Sequence, residues 1–269
     1  LPAPVVALTS FGPLFIASSR ATIAAILAAL VLLGTGKRLS RGDIGPIFLA
    51  GMMVTFGFPA FSSLAMESVD ASHGGVVLGI LPLATAAVSA LITGERPGYA
   101  FWASSVAGAA LVIWFVVGGD SSGQFGIEGG DLWLFAAAAA ASVGYVIMGR
   151  LSARMPGWET ICWALVTTAP LNVAATAFLW EERYLHPDMA AALALGSHAL
   201  FSMFLGFFAW NAGLAMGGIA RVGQVQLLQI FVTVALSAML LGETITVRTL
   251  LFATAVAAIV WFGRRARIA

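Results

Sequence analysis

The feature that most constrains this chain is a succession of apolar runs about 20 residues long, parted only by short polar breaks. A run of that length is what a helix needs to cross the hydrocarbon core of a bilayer. Bounded by charges and by Gly/Pro clusters, the runs fall at 13–34, 44–66, 74–93, 98–118, 131–150, 159–180, 189–216, 223–242 and 247–263. The breaks include Lys37–Asp43, Gly94–Pro97, Arg150–Gly157 and Gly242–Thr246. The longest, Gly118–Gly130, is rich in Gly, Ser and acids and reads as a solvated link between two halves. Composition agrees: 60% of the residues are hydrophobic and 9% charged, where a soluble domain carries roughly a quarter charged residues. The mean hydropathy is +0.98, so the chain lacks the polar residues to cover itself in water. Its solvent is lipid.

A spanning backbone must pair its own amides, which leaves helices or a closed barrel. Stretches such as Leu132–Met148 are too long and too unalternating for barrel strands. The expected class is therefore all-α integral membrane, with no separate soluble domain. Leu1 to Leu8 is apolar without a basic leader, and reads as the second half of a spanning helix whose first half precedes the sequence given.

Charge placement orients the spans. If Lys37–Asp43 faces the cytoplasm, alternation brings Arg96, Arg150, Arg154, Arg221 and the tail Arg264, Arg265 and Arg267 to the same side. Ten basic residues then lie inside and two, Arg183 and Arg248, outside. Lys and Arg excess marks the cytoplasmic side, so the expectation is a multi-pass protein of the cell's inner (plasma) membrane with a cytoplasmic C-terminus. The net charge of +1 gives no reason to expect nucleic acid or acidic partners.

An internal repeat organises these spans. Residues 75–95 align with 223–243 without a gap, sharing eight identities: Gly75/Gly223, Val77/Val225, Thr85/Thr233, Ala87/Ala235, Ser89/Ser237, Ala90/Ala238, Gly94/Gly242 and Glu95/Glu243. Beyond one gap the match continues from Ala107–Phe115 to Ala255–Phe262, and Leu64-Ala65-Met66 recurs as Leu214-Ala215-Met216. The two Gly-Glu turns fall on opposite sides under the topology above. That arrangement is an inverted repeat, which many secondary transporters use for alternating access around a site near the midplane. The expected architecture is ten transmembrane helices, the first truncated here, as five plus five. Residues 1–119 form the first repeat, 120–130 an external link and 131–269 the inverted second repeat.

On these residues the chain resembles the drug/metabolite transporter superfamily, in its EamA-type branch. Gly12-Pro13-Leu14-Phe15-Ile16-Ala17-Ser18-Ser19-Arg20-Ala21 is similar to the opening of that family's second helix, and Gly94-Glu95-Arg96 and Gly242-Glu243-Thr244 to its paired turns after helices four and nine. The resemblance covers essentially the whole chain. It implies export of small polar metabolites, amino acids first, with YddG-like aromatic amino-acid exporters as one candidate group. Where members often carry Glu-Pro in helices four and nine, this chain has Leu81-Pro82 and Gln229-Ile230, so no role for that Glu carries over.

In lipid a polar side chain either faces a cavity or bonds a neighbouring helix. Arg20 is the one charge well inside a span; it either attracts a substrate carboxylate or serves structure or gating, and the resemblance favours the second. Helix nine carries Gln224, Gln226 and Gln229, the last two on one face. Their amides suit zwitterionic substrates or interhelical bonds equally. Asn211 and Trp210 offer a substrate contact or helix–helix glue, and Tyr145 and Ser142, three apart, share a face. His198 and His73 lie near outer helix ends, while Trp163 sits deeper than the belt of Trp102, Trp114, Trp133, Trp158, Trp180 and Trp261. Pro59, Pro82 and Pro170, with Gly57, Gly75 and Gly79, are places where a helix can bend. Glu95 and Glu243 close the two repeat turns.

Several classes are excluded or weakened. Lone Cys162 supports neither a disulfide nor a metal site. Glycine-rich phosphate loop with Lys, His-Glu-x-x-His and Gly-x-Ser-x-Gly patterns are all missing. An intramembrane enzyme or a scaffold without transport is therefore the weaker alternative, and neither metal nor other cofactor is expected. No carboxylate lies deep in a span, so a dedicated Asp/Glu proton relay is not seen, although coupling to protons or another ion stays open.

Overall fold

The computed structural model describes residues 2–93, 99–117, 129–217, 222, 227–242 and 244–263. Every regular element among them is a helix. In chain order these are α1 (Pro2–Ala7), α2 (Pro13–Thr35), α3 (Arg41–Ala65) and α4 (Ala71–Ile92). There follow α5 (Tyr99–Val117), α6 (Gly129–Ser152), α7 (Gly157–Phe178), α8 (Met189–Met216), α9 (Leu227–Leu241) and α10 (Val247–Gly263). Six of them, α2, α3, α4, α6, α7 and α8, are long and apolar enough to cross a membrane. Each coincides with an expected run to within three residues at either end. The run expected at 98–118 is the 19-residue α5. Those at 223–242 and 247–263 hold the shorter apolar helices α9 and α10.

Local chemistry sets the ends. Pro13 opens α2 at a position where its missing N–H costs nothing, and Gly36 closes it in the left-handed region at φ 63°. Asp188 caps α8, its carboxylate accepting from the Ala190 amide at 3.1 Å. Two helices are not uniformly α. Both α3, over Met52–Gly57, and α8, over His198–Leu205, widen into a π turn. In α4 the turn Leu78–Ile80 tightens to 3₁₀ just before Pro82.

Packing follows the rule for lipid rather than water. Many fully buried positions are small, such as Ala17, Ala21, Ala24 and Ala28 on α2, Ala137 and Ala141 on α6 and Ala164 on α7, beside larger ones such as Ile16, Leu134 and Leu165. Large apolar side chains point outward, among them Leu33, Phe178 and Met216. Bilayer tails are as apolar as Leu, so close backbone approach holds such a bundle together. The interior is accordingly tight. A methyl on Gly51 would stand 2.7 Å from the Ala164 carbonyl oxygen across α3 and α7. One on Gly144 of α6 would collide with Val54 of α3.

The principal helix pairs are α2 with α7, α3 with α6, α5 with α10, and α4 with both α6 and α9. Further contacts join α8 to α1, α2 and α7, α1 to α9, and α3 to α7. The bundle's two ends are tied by polar bonds. At one end Lys37 pairs with Glu159 at 3.3 Å and Arg154 with Asp43 at 2.9 Å. At the other, His73 meets Asp131 at 2.7 Å, and Arg248 donates to the Phe115 carbonyl at 2.7 Å. There too, the Tyr184 hydroxyl accepts from the Gly12 amide at 3.1 Å.

Candidate functional site

The polar residues that the sequence singles out do not gather in one place. Arg20 of α2 and His198 of α8 do meet: the guanidinium Nη1 donates to the imidazole Nε2. Arg20 is only 4% exposed, and its Nε is buried with no partner. Tyr145 of α6 is also buried. The Tyr145 ring lies in turn against Trp210 at 5.6 Å and Phe207 at 6.1 Å between centroids, both on α8. Trp210 also keeps a buried indole N–H without a partner. Two separate groups therefore stand out: the buried cation of α2 with the imidazole of α8, and the ring cluster of Tyr145 with Trp210 and Phe207 between α6 and α8.

Local structure explains the placement. Residues 15–21 of α2 are buried on every side of the helix, because α7 and α8 both pack there. Arg20 consequently has no short route to water. His198 opens the π turn of α8, and π turns recur at functional sites because they shift the register of one helix face. A buried cation without a carboxylate is costly in a low-dielectric interior. Among the described residues, none of the ion pairs includes Arg20.

The other named residues sit elsewhere. Asn211 is fully buried, and its Nδ2 donates to the Gly157 carbonyl at 3.2 Å, joining α8 to α7. Its Oδ1 has no partner. Ser142 is turned onto its own helix, donating to the Ala138 carbonyl at 2.7 Å. Half-buried Trp163 donates to Glu159 at 3.4 Å. His73 belongs to the Asp131 pair and stacks on Phe115 at 4.8 Å. Gln229 is exposed on α9, whereas Gln224 and Gln226, together with Glu95 and Glu243, lie outside the described residues. Gly79 abuts Ile230 of α9, and Pro82 is buried two residues after the 3₁₀ turn. Pro59 follows the π turn of α3.

Sequence reasoning did not single out Phe207, since nothing marks one Phe among 18. It also passed over Asn172, buried on α7 with an unpartnered Oδ1, and the buried hydroxyl pair Thr55–Thr168, which links α3 to α7 at 3.0 Å. A lone amide in the middle of an apolar run was the available signal for Asn172.

Known proteins share the family and the fold. The model of the EamA-like transporter family matches residues 3–121 and again 128–263. The uncharacterized transporter YdeK of Bacillus subtilis (strain 168) is 38% identical over 248 residues, covering 91% of this chain and 85% of that protein. The aromatic amino acid exporter YddG of Ancylobacter novellus is 26% identical over 200 residues, covering 73% of this chain and 68% of that one. A solved crystal structure, 20% identical, superposes with a TM-score of 0.66 over 97% of this chain and 98% of its own, which shows a shared fold. These relatives and the family are transporters rather than enzymes. With a family model matched across nearly its whole length, this membrane-spanning chain belongs to the EamA-like transporter family.

Proposed function

We propose that the chain is a secondary transporter of the inner membrane that exports small polar metabolites, amino acids foremost. It works by alternating access of two inverted five-helix halves, α1–α5 and α6–α10. The observation that carries this reading is the packing pattern. Exchanging each helix for the one five places further on maps the principal contacts onto one another. The pairs α2–α7, α4–α9 and α5–α10 map onto themselves; α3–α6 becomes α8–α1, α4–α6 becomes α9–α1, and α2–α8 becomes α7–α3. Five helices per half is an odd number, so counterpart helices run in opposite directions. A site between such halves opens alternately to either side as they rock.

Two further facts support it. The family model matches each half separately, as a duplicated unit would be matched. The end-to-end ties also respect the charge-derived topology, because Lys37, Asp43, Arg154 and Glu159 meet at one end, the proposed cytoplasmic one. Amino acids are favoured as cargo by the Ancylobacter relative's name.

Counterflow of labelled amino acids in proteoliposomes, with and without a pH gradient, tests the reading. Exchange of at least one amino acid is expected, and acceleration by the gradient would identify proton coupling. No exchange of any amino acid removes that substrate class.

A further inference from the structure

We infer that His198 is a proton-coupling site: a proton taken up on its Nε2 releases Arg20 and lets α2 part from α8. The inference rests on the transport reading above and deepens it by naming the coupling ion. Since α2 belongs to the first proposed half and α8 to the second, the bond that the proton breaks is one between the halves.

A guanidinium carries five N–H donors and no acceptor, and it keeps its proton at any pH a transporter meets. In the bond between the two side chains Nη1 must therefore donate and Nε2 accept. The accepting ring is neutral, with its own hydrogen on Nδ1. A proton that binds Nε2 takes the lone pair to which Nη1–H is now bonded. No covalent bond breaks; the hydrogen bond is lost, and an imidazolium without an acceptor is left facing a guanidinium without one. Two cations in a low-dielectric interior repel strongly, so the charged ring and this packing of α2 on α8 exclude each other. By linkage, separation of the two helices raises the affinity of His198 for a proton, and proton uptake favours separation by the same factor.

Among the described residues, none of the ion pairs includes Arg20 or His198, so no acid cancels that repulsion. Beyond its own helix, the π turn that His198 opens packs chiefly against α2. Arg20 is the one titratable residue of α2, and His198 the one titratable residue of α8. The side chains of α1, which packs on the preceding turns of α8, do not titrate. Farther along α8, Tyr145 of α6 turns its ring to Phe207 and Trp210. The titratable side chains of α7, Glu159 and Cys162, lie in its first two turns, at the end tied to Lys37. Access also singles out the imidazole. Arg20 is shielded whereas His198 is half-buried, which makes the ring the member of the pair that a proton can reach. Counted from Met189, where α8 begins, His198 lies roughly 14 Å along the helix from the proposed outer end. A proton entering there while cargo leaves is the exchange that an exporter driven by inward proton flow requires.

Two measurements on the full chain test this. Spin labels go on cysteines replacing Ile23 of α2 and Leu193 of α8, both exposed, while native Cys162 is buried. The distance between the labels is then read at about pH 8 and about pH 5, either side of the usual histidine range. It should lengthen at the lower pH. In His198→Gln, whose amide oxygen can still accept from Arg20 but takes up no proton, it should be the same at both. His73→Gln, at another tie between the halves, should keep the pH response. The second measurement is counterflow of labelled amino acids in proteoliposomes. The ratio of rates with and without a pH gradient should exceed unity in the wild type and fall to unity in His198→Gln. A wild-type distance that ignores pH overturns the site, as does a pH response undiminished in His198→Gln. Should that variant not fold, Arg20→Gln takes its place: without the repelling cation, the pH response of the distance should shrink, and an undiminished response overturns the site. The two claims also fail separately. A pH-dependent distance without exchange of any amino acid leaves the proton site standing and defeats the transport cargo. Amino-acid exchange with a distance indifferent to pH does the reverse.

Discussion

At the scale of single residues, the buried glycines and the outer polar cap give sharp tests. A methyl on Gly157 would stand 2.6 Å from the Ala212 amide nitrogen and 2.8 Å from the Asn211 carbonyl carbon. Both are backbone atoms, so no side chain can rotate away, and α7 must retreat from α8. Gly157→Ala should therefore cost about 1–3 kcal/mol, as overpacking does, seen as a lowered unfolding midpoint in detergent. Gly34→Ala on α2 meets nothing within 4 Å and should be neutral or slightly stabilising. Outside the membrane, the Tyr184 hydroxyl, donating at 2.9 Å, and then Arg183 hold the Glu181 carboxyl below its ordinary range. A depressed carboxylate contributes stability at neutral pH that is lost as pH falls through the lowered value. In Tyr184→Phe the first cause is gone, so Glu181 should titrate at higher pH, which carboxyl-resolved NMR titration would show. Arg20, Tyr145 and Trp210 were legible as individual polar or aromatic residues within apolar runs. The meeting of Arg20 with His198 was not, because the two are 178 positions apart and only the packing of α2 against α8 brings them together.

At the scale of elements, the two π turns are where structure most exceeds what the sequence foretold. Under the proposed repeat they occupy counterpart helices, Met52–Gly57 in α3 and His198–Leu205 in α8. In each, a glycine sits five residues after a carbonyl that its absent side chain leaves room for. A methyl would meet the Met52 oxygen at 3.3 Å from Gly57, and the Phe201 oxygen at 2.6 Å from Gly206. In α3 the cause is partly visible, since Pro59 can neither donate to the helix nor tolerate the normal carbonyl position behind it. No proline marks α8; there the wider turn depends on neighbouring helices, which hydrophobic periodicity does not encode. Span existence and limits, by contrast, follow from run length alone. Gly206→Ala should force the Phe201 carbonyl out of place and disturb His198, the first residue of the turn. The expected outcome is slower counterflow. Gly196→Ala, on the same helix with nothing within 4 Å, should leave it unchanged. Equal behaviour of the two variants would show that the π turn has no part in transport.

At the scale of the molecule, a rocking mechanism requires ties that hold each end closed yet break within a transport cycle. The pairs Lys37–Glu159 and Asp43–Arg154 both join the first half to the second at the proposed cytoplasmic end. Lys37 and Arg154 are themselves largely exposed. Glu159 and Asp43 are mostly shielded, so opening this end returns two acids to water, a smaller change than separating the α2–α7 packing deeper down. The count of basic residues put Lys37, Asp43 and Arg154 on one side, but could not pair them with each other or with Glu159, because pairing depends on how the halves dock. If the end opens during transport, joining its two halves covalently must stop the cycle. Cysteines at positions 37 and 159, linked by a short bifunctional thiol reagent, should abolish counterflow, and cleavage of the linker should restore it. Native Cys162 is buried and should not compete for the reagent. As a control, cysteines replacing Glu181 and Arg183, which pair within one connection of the second half, should accept the same linker without loss of exchange. Full activity in the linked 37–159 protein would mean that the halves do not separate at this end, and the alternating-access reading would fail there while family membership stood. Loss of activity in both linked proteins would point to reagent damage instead. The decisive result is therefore the contrast between the inter-half and intra-half links, a contrast that only a molecule built as two opposed halves should produce.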